Sequence, residues 1–269
     1  MIEEVKEIFC KSILSQSGIG GVDYSINPYV GCSHGCVYCY ARFMMRYAKT
    51  KQPWGNFVHA KINAPTVLAK EIKRKKPGTV LLSSVCDSYQ ELEKRYELTR
   101  KILEELAKHN DFRVDILTKS DLIVRDLDVI KKVKNIEVGF SVSHFDESFR
   151  GFIEPGAPSV ERRFDALETL GKNGIKTYVF VAPVIPLITE RNVEGILESA
   201  ERGNAGYLLF DTLNIKCGNW KPIIATLEKF EPKIMDEFIE VMENPESYYQ
   251  QFKTRILKEC NGIDCSFMF

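Results

Sequence analysis

From residue 79 onward, short apolar runs alternate with longer stretches whose apolar residues recur every three or four positions. The runs Thr79–Ser83, Arg113–Thr118, Ile136–Val142, Lys176–Ala182 and Gly206–Phe210 predict strands. Tyr24–Asn27, stopped by Pro28, predicts an earlier one. Between them, Glu91–Lys108 predicts a helix with Leu98, Ile102, Leu103 and Leu106 on one face. Asp121–Val133, Asn192–Glu201 and Ser159–Asn173, the last closed by Asn173-Gly174, predict three more. Tyr40–Lys49 reads as a short helix, and Pro65 opens another whose stripe is Val67, Leu68 and Ile72, ended by Pro77-Gly78. Trp54–Ile62 is mixed and predicts an extended surface segment, and Ser17–Gly21 predicts a loop.

Six strands, five of them followed by helical stretches, predict parallel βα units. Right-handed crossovers wind such units into an α/β partial (βα)6 TIM-type barrel. Residues 1–215 would form that domain. Residues 216–269 break the alternation and read as an α-helical C-terminal extension packed on the barrel. Functional groups in such a frame belong just after the strands. Polar residues do cluster there: a cysteine loop after the first strand, Ser83–Asp87 after the second, Thr118–Ser120 after the third and Ser141–His144 after the fourth.

Charge changes the picture by exclusion. The 269 residues carry 37 basic and 37 acidic side chains. A dominant basic footprint for gripping nucleic acid through phosphates is therefore absent. Two local groups, Lys70/Lys73/Arg74/Lys75/Lys76 and Lys131/Lys132/Lys134, read as solvated helix ends. No segment approaches the roughly 18 apolar residues needed to span a membrane. The acidic start, Met1–Glu7, lacks the features of an export signal. Eight cysteines without such a signal point to reduced thiols, metal binding and a cytoplasmic setting protected from oxygen.

Three of those cysteines, Cys32, Cys36 and Cys39, are spaced C-x3-C-x2-C. Thiolates suit iron–sulfur clusters, and three on one loop can hold three irons of a cubane and leave the fourth open. The spacing alone also fits zinc with a distant fourth ligand, for which His34 is a candidate. The aromatic flanks Tyr38 and Tyr40, the position after a first barrel strand and the lack of a second C-x2-C pair argue against zinc. Orienting the loop by a hydrogen bond suits His34 better.

The loop, Asn27-Pro28-Tyr29-x-Gly31-Cys32-x-His34-Gly35-Cys36-x-Tyr38-Cys39-Tyr40-Ala41-Arg42, resembles that of the radical S-adenosylmethionine (radical SAM) superfamily. With Ser84-x-x-Asp87-x-Tyr89-Gln90-x-x-Glu93, Leu98-Thr99-Arg100, Leu117–Ser120, Arg125-Asp126, Ser141–Ser143 and Glu154-Pro155-x-Ala157-Pro158-Ser159-x-x-x-Arg163, it resembles the spore photoproduct lyase-like branch. The likeness covers about residues 24–190. It implies that Cys32, Cys36 and Cys39 bind a [4Fe–4S] cluster whose open iron is chelated by S-adenosylmethionine. One electron would then release methionine and a 5′-deoxyadenosyl radical that takes hydrogen from a substrate. It further implies a low-potential electron donor of flavodoxin or ferredoxin type.

Other residues fit those demands with structural alternatives beside them. Lys119 at a strand end can meet the cofactor's carboxylate, or a partner at the rim. Ser84, Ser141 and Ser143 can face a ribose or cap helices. Arg163 can pair with a carboxylate of the cofactor, or with Glu154 or Asp165. The superfamily places the Tyr38 main chain against adenine. The branch implies a hydrogen-donating cysteine after the second strand and tyrosines that relay the radical, which here would be Cys86, Tyr38 and Tyr40. The branch cysteine aligns with Ser84, however, and Cys86 lies two positions on, so Cys86 also reads as a small buried thiol. Cys10 reads the same way. Cys217, Cys260 and Cys265 are candidates for an auxiliary cluster or zinc. The substrate class stays open among nucleic acid, peptide and metabolite. Two further readings are lesion repair as in spore photoproduct lyase, and a non-catalytic iron–sulfur or zinc binding module.

Overall fold

The computed structural model of the chain describes residues 2–260 and 262–269. Its strands are β1 (Glu4–Ile8), β2 (Ser15–Gln16), β3 (Tyr24–Ile26), β4 (Tyr29–Val30), β5 (Phe57–Lys61), β6 (Thr79–Leu82), β7 (Arg113–Thr118), β8 (Ile136–Ser141), β9 (Lys176–Val184), β10 (Tyr207–Thr212) and β11 (Asp264–Phe267). The main sheet runs β11-β10-β9-β8-β7-β6-β3-β2. From β3 to β11 every pairing in it is parallel, and β2 adds an antiparallel edge. The six predicted strands are β3 and β6 to β10, in the predicted order. The sheet is an open, partial barrel: β2 and β11 are its edges, and no pairing among the described residues closes it.

Side-chain alternation decides the layers. Val80, Leu82, Val114, Ile116, Val138, Phe140, Val179 and Val181 bury one face against helix residues such as Ile102, Leu103, Leu167 and Leu170. The opposite face carries Asp115, Glu137 and Tyr178 at its lower end and Lys119 and Ser141 beside the C-terminal strand ends. That second face leads to the site.

Three expectations are corrected. Trp54–Ile62 is not a surface segment: its core is β5, whose Phe57, Val58, His59 and Ala60 are all buried. It pairs parallel with β1 and antiparallel with β4 in a second sheet that backs the cysteine loop. The single helix over 91–108 is broken at Glu97, which adopts φ 50°, between Glu93–Tyr96 and Leu98–Leu106. The break lets the buried Glu93 carboxylate accept the amides of Thr99 (2.9 Å) and Arg100 (3.3 Å), an acid at the second helix's start. Finally, the C-terminal segment is helical over Trp220–Phe230, Met235–Glu243 and Pro245–Glu259, but then forms β11 and extends the main sheet. Tyr249, Phe252 and Ile256 enter the same core as the barrel strands. Among the described residues no helix is long and apolar enough to cross a membrane.

Candidate active site

The cysteine loop leaves β4 through Gly31, whose φ of 88° suits glycine and where a Cβ would lie 2.4 Å from the Phe57 carbonyl oxygen. Polar side chains from neighbouring strand ends then tie the loop down. Gln90 accepts the Ser33 amide (2.8 Å) and donates to the Gly31 carbonyl (3.2 Å). Asn27 accepts the Val85 amide (2.9 Å) and donates to Ser84 Oγ (2.8 Å). Asp87 accepts from Thr118 Oγ1 and the Lys119 amide, both at 2.8 Å, and lies 3.4 Å from His34 Nδ1. His34 is buried, which lowers its pKa, and it orients the loop through this contact. On the far side the turn at 153–157 closes on the loop: Val37 N donates to the Ile153 carbonyl (2.9 Å) and Gly156 N to that of His34 (3.0 Å). A Cβ on Gly156 would sit 2.0 Å from the Ser33 carbonyl oxygen.

Cys32, Cys36 and Cys39 are free thiols. Burial pushes all three up, Cys36 to about 12. Apolar surroundings of this kind leave a thiol protonated unless a cation compensates the thiolate. Arg42, half-buried beside Cys39 and Cys36, donates to the Val37 carbonyl (3.2 Å), while its Nε is buried without a partner among the described residues.

Next to the loop lies a buried polar network centred on Glu154, a residue that the sequence marked within the branch motif and as a partner for Arg163. Glu154 is fully buried. It pairs with Arg163, accepts the Tyr38 hydroxyl, accepts Ser143 Oγ (3.0 Å) and lies 3.9 Å from Lys119 Nζ. Burial raises its carboxyl, but the Arg163 and Lys119 charges outweigh that and hold it below the usual carboxylate range. Lys119 Nζ donates to Ser141 Oγ (2.8 Å) and sits 5.8 Å from the Tyr38 ring centroid. Thus Tyr38, Lys119, Ser141, Ser143 and Arg163 come together. Arg163 differs from expectation, because its guanidinium is spent on Glu154 and on the carbonyls of Ser141 (2.9 Å) and Pro158 (2.8 Å). It holds Glu154 and is closed to a ligand carboxylate.

Tyr40 stands apart from this network. Its hydroxyl donates to the Ser84 carbonyl, which brings it to the loop after β6. Cys86 is buried there, its thiol pushed up to about 12 by burial, with Sγ 3.5 Å from Asn27 Oδ1. Ser83, which opens that loop, adopts φ 82°, uncommon for a residue with a side chain.

The auxiliary metal expectation is corrected. Cys260 and Cys265 form a disulfide, so the reduced-thiol reading fails for this pair and neither sulfur is free to ligate; Cys217 is an exposed free thiol. The C-terminal segment contributes to the site differently. Asn219, fully buried, donates to the Tyr38 carbonyl (2.8 Å) and the Asn214 carbonyl (2.9 Å). No local sequence signal points to it, because its partner lies 181 positions away. His144 was noted only as part of a polar strand end; it is buried edge-on to Phe149, and both its ring nitrogens lack partners among the described residues.

Comparison with known proteins agrees with this geometry. The family model described as Radical SAM superfamily matches residues 26–200. An uncharacterized protein of Methanocaldococcus jannaschii is 41% identical over 214 residues, 79% of each chain. An uncharacterized protein of Mycobacterium tuberculosis is 29% identical over 268 residues, 93% of this chain and 78% of that one. Among solved structures, a spore photoproduct lyase variant with bound AdoMet and dinucleoside spore photoproduct superposes with a TM-score of 0.64 at 18% identity. The match covers 86% of this chain and 66% of the lyase, so the chain spans just under two thirds of the lyase's length. At that identity the likeness is one of fold.

Proposed function

The chain belongs to the Radical SAM superfamily, and on that premise we propose that it cleaves S-adenosylmethionine reductively at a [4Fe–4S] cluster and abstracts hydrogen from a substrate. The family implies the cluster, S-adenosylmethionine and a reductant. The donor set fits them: three free thiols on one loop, Cys32 and Cys36 buried and Cys39 partly so, beside Lys119 at the neighbouring strand end. That juxtaposition carries the reading. When bound, the pair supplies one-electron cleavage to methionine and a 5′-deoxyadenosyl radical, the hard part of the chemistry.

The protein's own residues bind, aim and exclude water. Cys32, Cys36 and Cys39 would hold the cluster as thiolates, the metal offsetting the upward push of burial on each thiol. Lys119 would meet the carboxylate of the methionine moiety, its ammonium group held by Ser141 Oγ (2.8 Å) with the Glu154 carboxylate 3.9 Å away. Ser84 and Ser141, at neighbouring strand ends, would offer hydroxyls to the ribose, whereas Ser143 is fully buried with its hydroxyl engaged by Glu154 (3.0 Å) and Tyr38 (2.9 Å). Arg163 is a positioning residue that holds Glu154. Asn219 donates to the Tyr38 carbonyl, whose remaining lone pair would be the one left for adenine.

The substrate is a molecule other than spore photoproduct in this reading. The balanced charge and the burial of Cys86 in the apolar layer behind the loop, with Cys32 and Leu98, support it. One observation favours the second reading, lesion repair: Tyr40 reaches Ser84, two positions from Cys86, which suits a Tyr40–Cys86 relay. Turnover of spore photoproduct to thymines, lost in Cys86→Ala, would establish that alternative. The test of the proposal is isotopic. Deuterated nucleic acids, peptides and metabolites are incubated with reduced protein, and label appears in 5′-deoxyadenosine only from the true substrate. Absence of any 5′-deoxyadenosine under strong reduction would leave the non-catalytic cluster-binding module.

A further inference from the structure

The 47 residues from Tyr24 to Lys70 contain six Lys and Arg and no Asp or Glu, in a chain whose charges otherwise balance. The cysteine loop lies inside this stretch. Two of the six cations turn inward: Arg42 onto the loop carbonyls, and Lys61 onto the Asn27 carbonyl (2.8 Å). Arg46, Lys49 and Lys51 are exposed, and around them Tyr47 is 69% exposed. None of these three cations makes an ion pair among the described residues. They sit on one short turn, the helix Met45–Ala48 and the chain just beyond it, where Lys49 adopts φ 49°.

The inner side of that turn is apolar. Met44, Met45 and Ala48 pack in one cluster with Cys32 and Cys39. The turn that carries the patch therefore packs its inner side in the same apolar cluster as two of the thiols. Cys36 and Tyr38 belong to a different apolar cluster, with Phe149, Ile185 and Ile223, and Cys39 packs against both clusters. The loop thus has two faces. One meets the polar network where cofactor and substrate belong, and the other backs onto Arg46, Tyr47, Lys49 and Lys51. Strand β1 brings acids to the edge of the patch, but Glu4 is engaged by His59 (2.8 Å) and Lys6 (3.0 Å), and Glu3 by Asn56 (2.8 Å).

We propose that Arg46, Tyr47, Lys49 and Lys51 form the docking surface for an acidic electron-transfer protein of flavodoxin or ferredoxin type. The inference rests on the radical SAM reading. In the step it serves, one electron leaves the reduced donor, which is oxidised, and enters the bound cluster, which is reduced; no bond is made or broken. Complementary charge steers such an encounter and shows itself in the on-rate and its salt dependence.

The test uses full-length, cluster-loaded protein and a reduced acidic flavodoxin as probe, with cluster bleaching followed by stopped flow and flavodoxin affinity measured by calorimetry. Arg46→Glu/Lys49→Glu/Lys51→Glu is expected to slow reduction by flavodoxin about tenfold or more and to weaken flavodoxin binding. The milder Arg46→Gln/Lys49→Gln/Lys51→Gln is expected to fall between. Wild-type reduction should slow steeply as salt rises. Dithionite, small enough to need no docking, should reduce all three proteins at similar rates. Unchanged flavodoxin rates in both variants, or a wild-type rate indifferent to salt, would overturn the docking surface. Loss of affinity for a single-stranded oligonucleotide with flavodoxin reduction intact would also overturn it and make the patch a nucleic-acid site. Failure of wild type to form 5′-deoxyadenosine with dithionite would instead overturn the radical reading beneath it.

Discussion

Glu154 organises the site more than any residue the sequence singled out. It compensates Arg163 and Lys119 in a fully buried position and receives hydroxyls from Tyr38 and Ser143. Removing one member of a buried pair leaves the other charge uncompensated, at a cost of about 3–5 kcal/mol. Glu154→Gln should therefore lower unfolding stability by that order in denaturant titration, and Glu154→Gln/Arg163→Met should regain part of it. A loss equal to that of a surface substitution would contradict the burial of the pair. Lys119 faces the opposite requirement, since its ammonium must stay available. Lys119→Met should weaken S-adenosylmethionine binding by about tenfold or more in equilibrium dialysis, with iron content unchanged. The cysteines and Lys119 were legible in the sequence because their chemistry and their place at strand ends agree. Glu154, Asn219 and the true use of Arg163 were not, because each is defined by a partner that no local spacing encodes: 116 positions separate Glu154 from Tyr38.

At the scale of the element, the strands show why pattern reading worked and where it stopped. The six main strands alternate or run apolar, and a period of two is readable without tertiary knowledge. β5 was missed because Phe-Val-His-Ala-Lys mixes types, and its burial depends on β1 and β4 covering it. The helix break at Glu97 was missed because it answers to Glu93, a carboxylate whose burial is a tertiary fact. Asp115 on β7 provides an element-level test. Burial raises its carboxyl to about 6, opposed by a hydrogen bond from Tyr178 (3.0 Å) and reinforced by Glu137. Its folded pKa lies above the ordinary aspartate value of 3.8, so the folded state holds a proton that the unfolded state releases. Stability from this group is present at low pH and is lost as pH rises from about 4 to about 6. Asp115→Asn, which can still accept from Tyr178, should stabilise the protein by about 1–2 kcal/mol at about pH 8. It should have no effect near pH 3.5. A pH-independent difference in urea melts would contradict this assignment.

Across the whole molecule, the C-terminal segment is where sequence and structure part most. Its helices were legible, but the closing strand β11 was not, since Asp264–Phe267 is a short run that becomes a strand only against β10. Phe267 stacks on Phe210 (5.1 Å between centroids), and Asn219 reaches the cysteine loop, so the tail completes both the sheet and the site. Deleting residues 216–269 should therefore abolish the cooperative folding of the remainder, and Phe252→Ala, which empties a buried core position, should cost about 3–5 kcal/mol. Wild type should unfold in one calorimetric transition; two separated transitions would show a tail that folds apart. The protein as a unit is thus a frame that brings three thiols, Lys119 and Asn219 from distant parts of the chain to one loop. The most direct test of what that frame is for is anaerobic turnover after cluster reconstitution. Wild type should bind about four irons and, once reduced, convert S-adenosylmethionine to methionine and 5′-deoxyadenosine, while Cys32→Ala/Cys36→Ala/Cys39→Ala should do neither. Cluster-loaded, reduced wild type that leaves S-adenosylmethionine intact would contradict it.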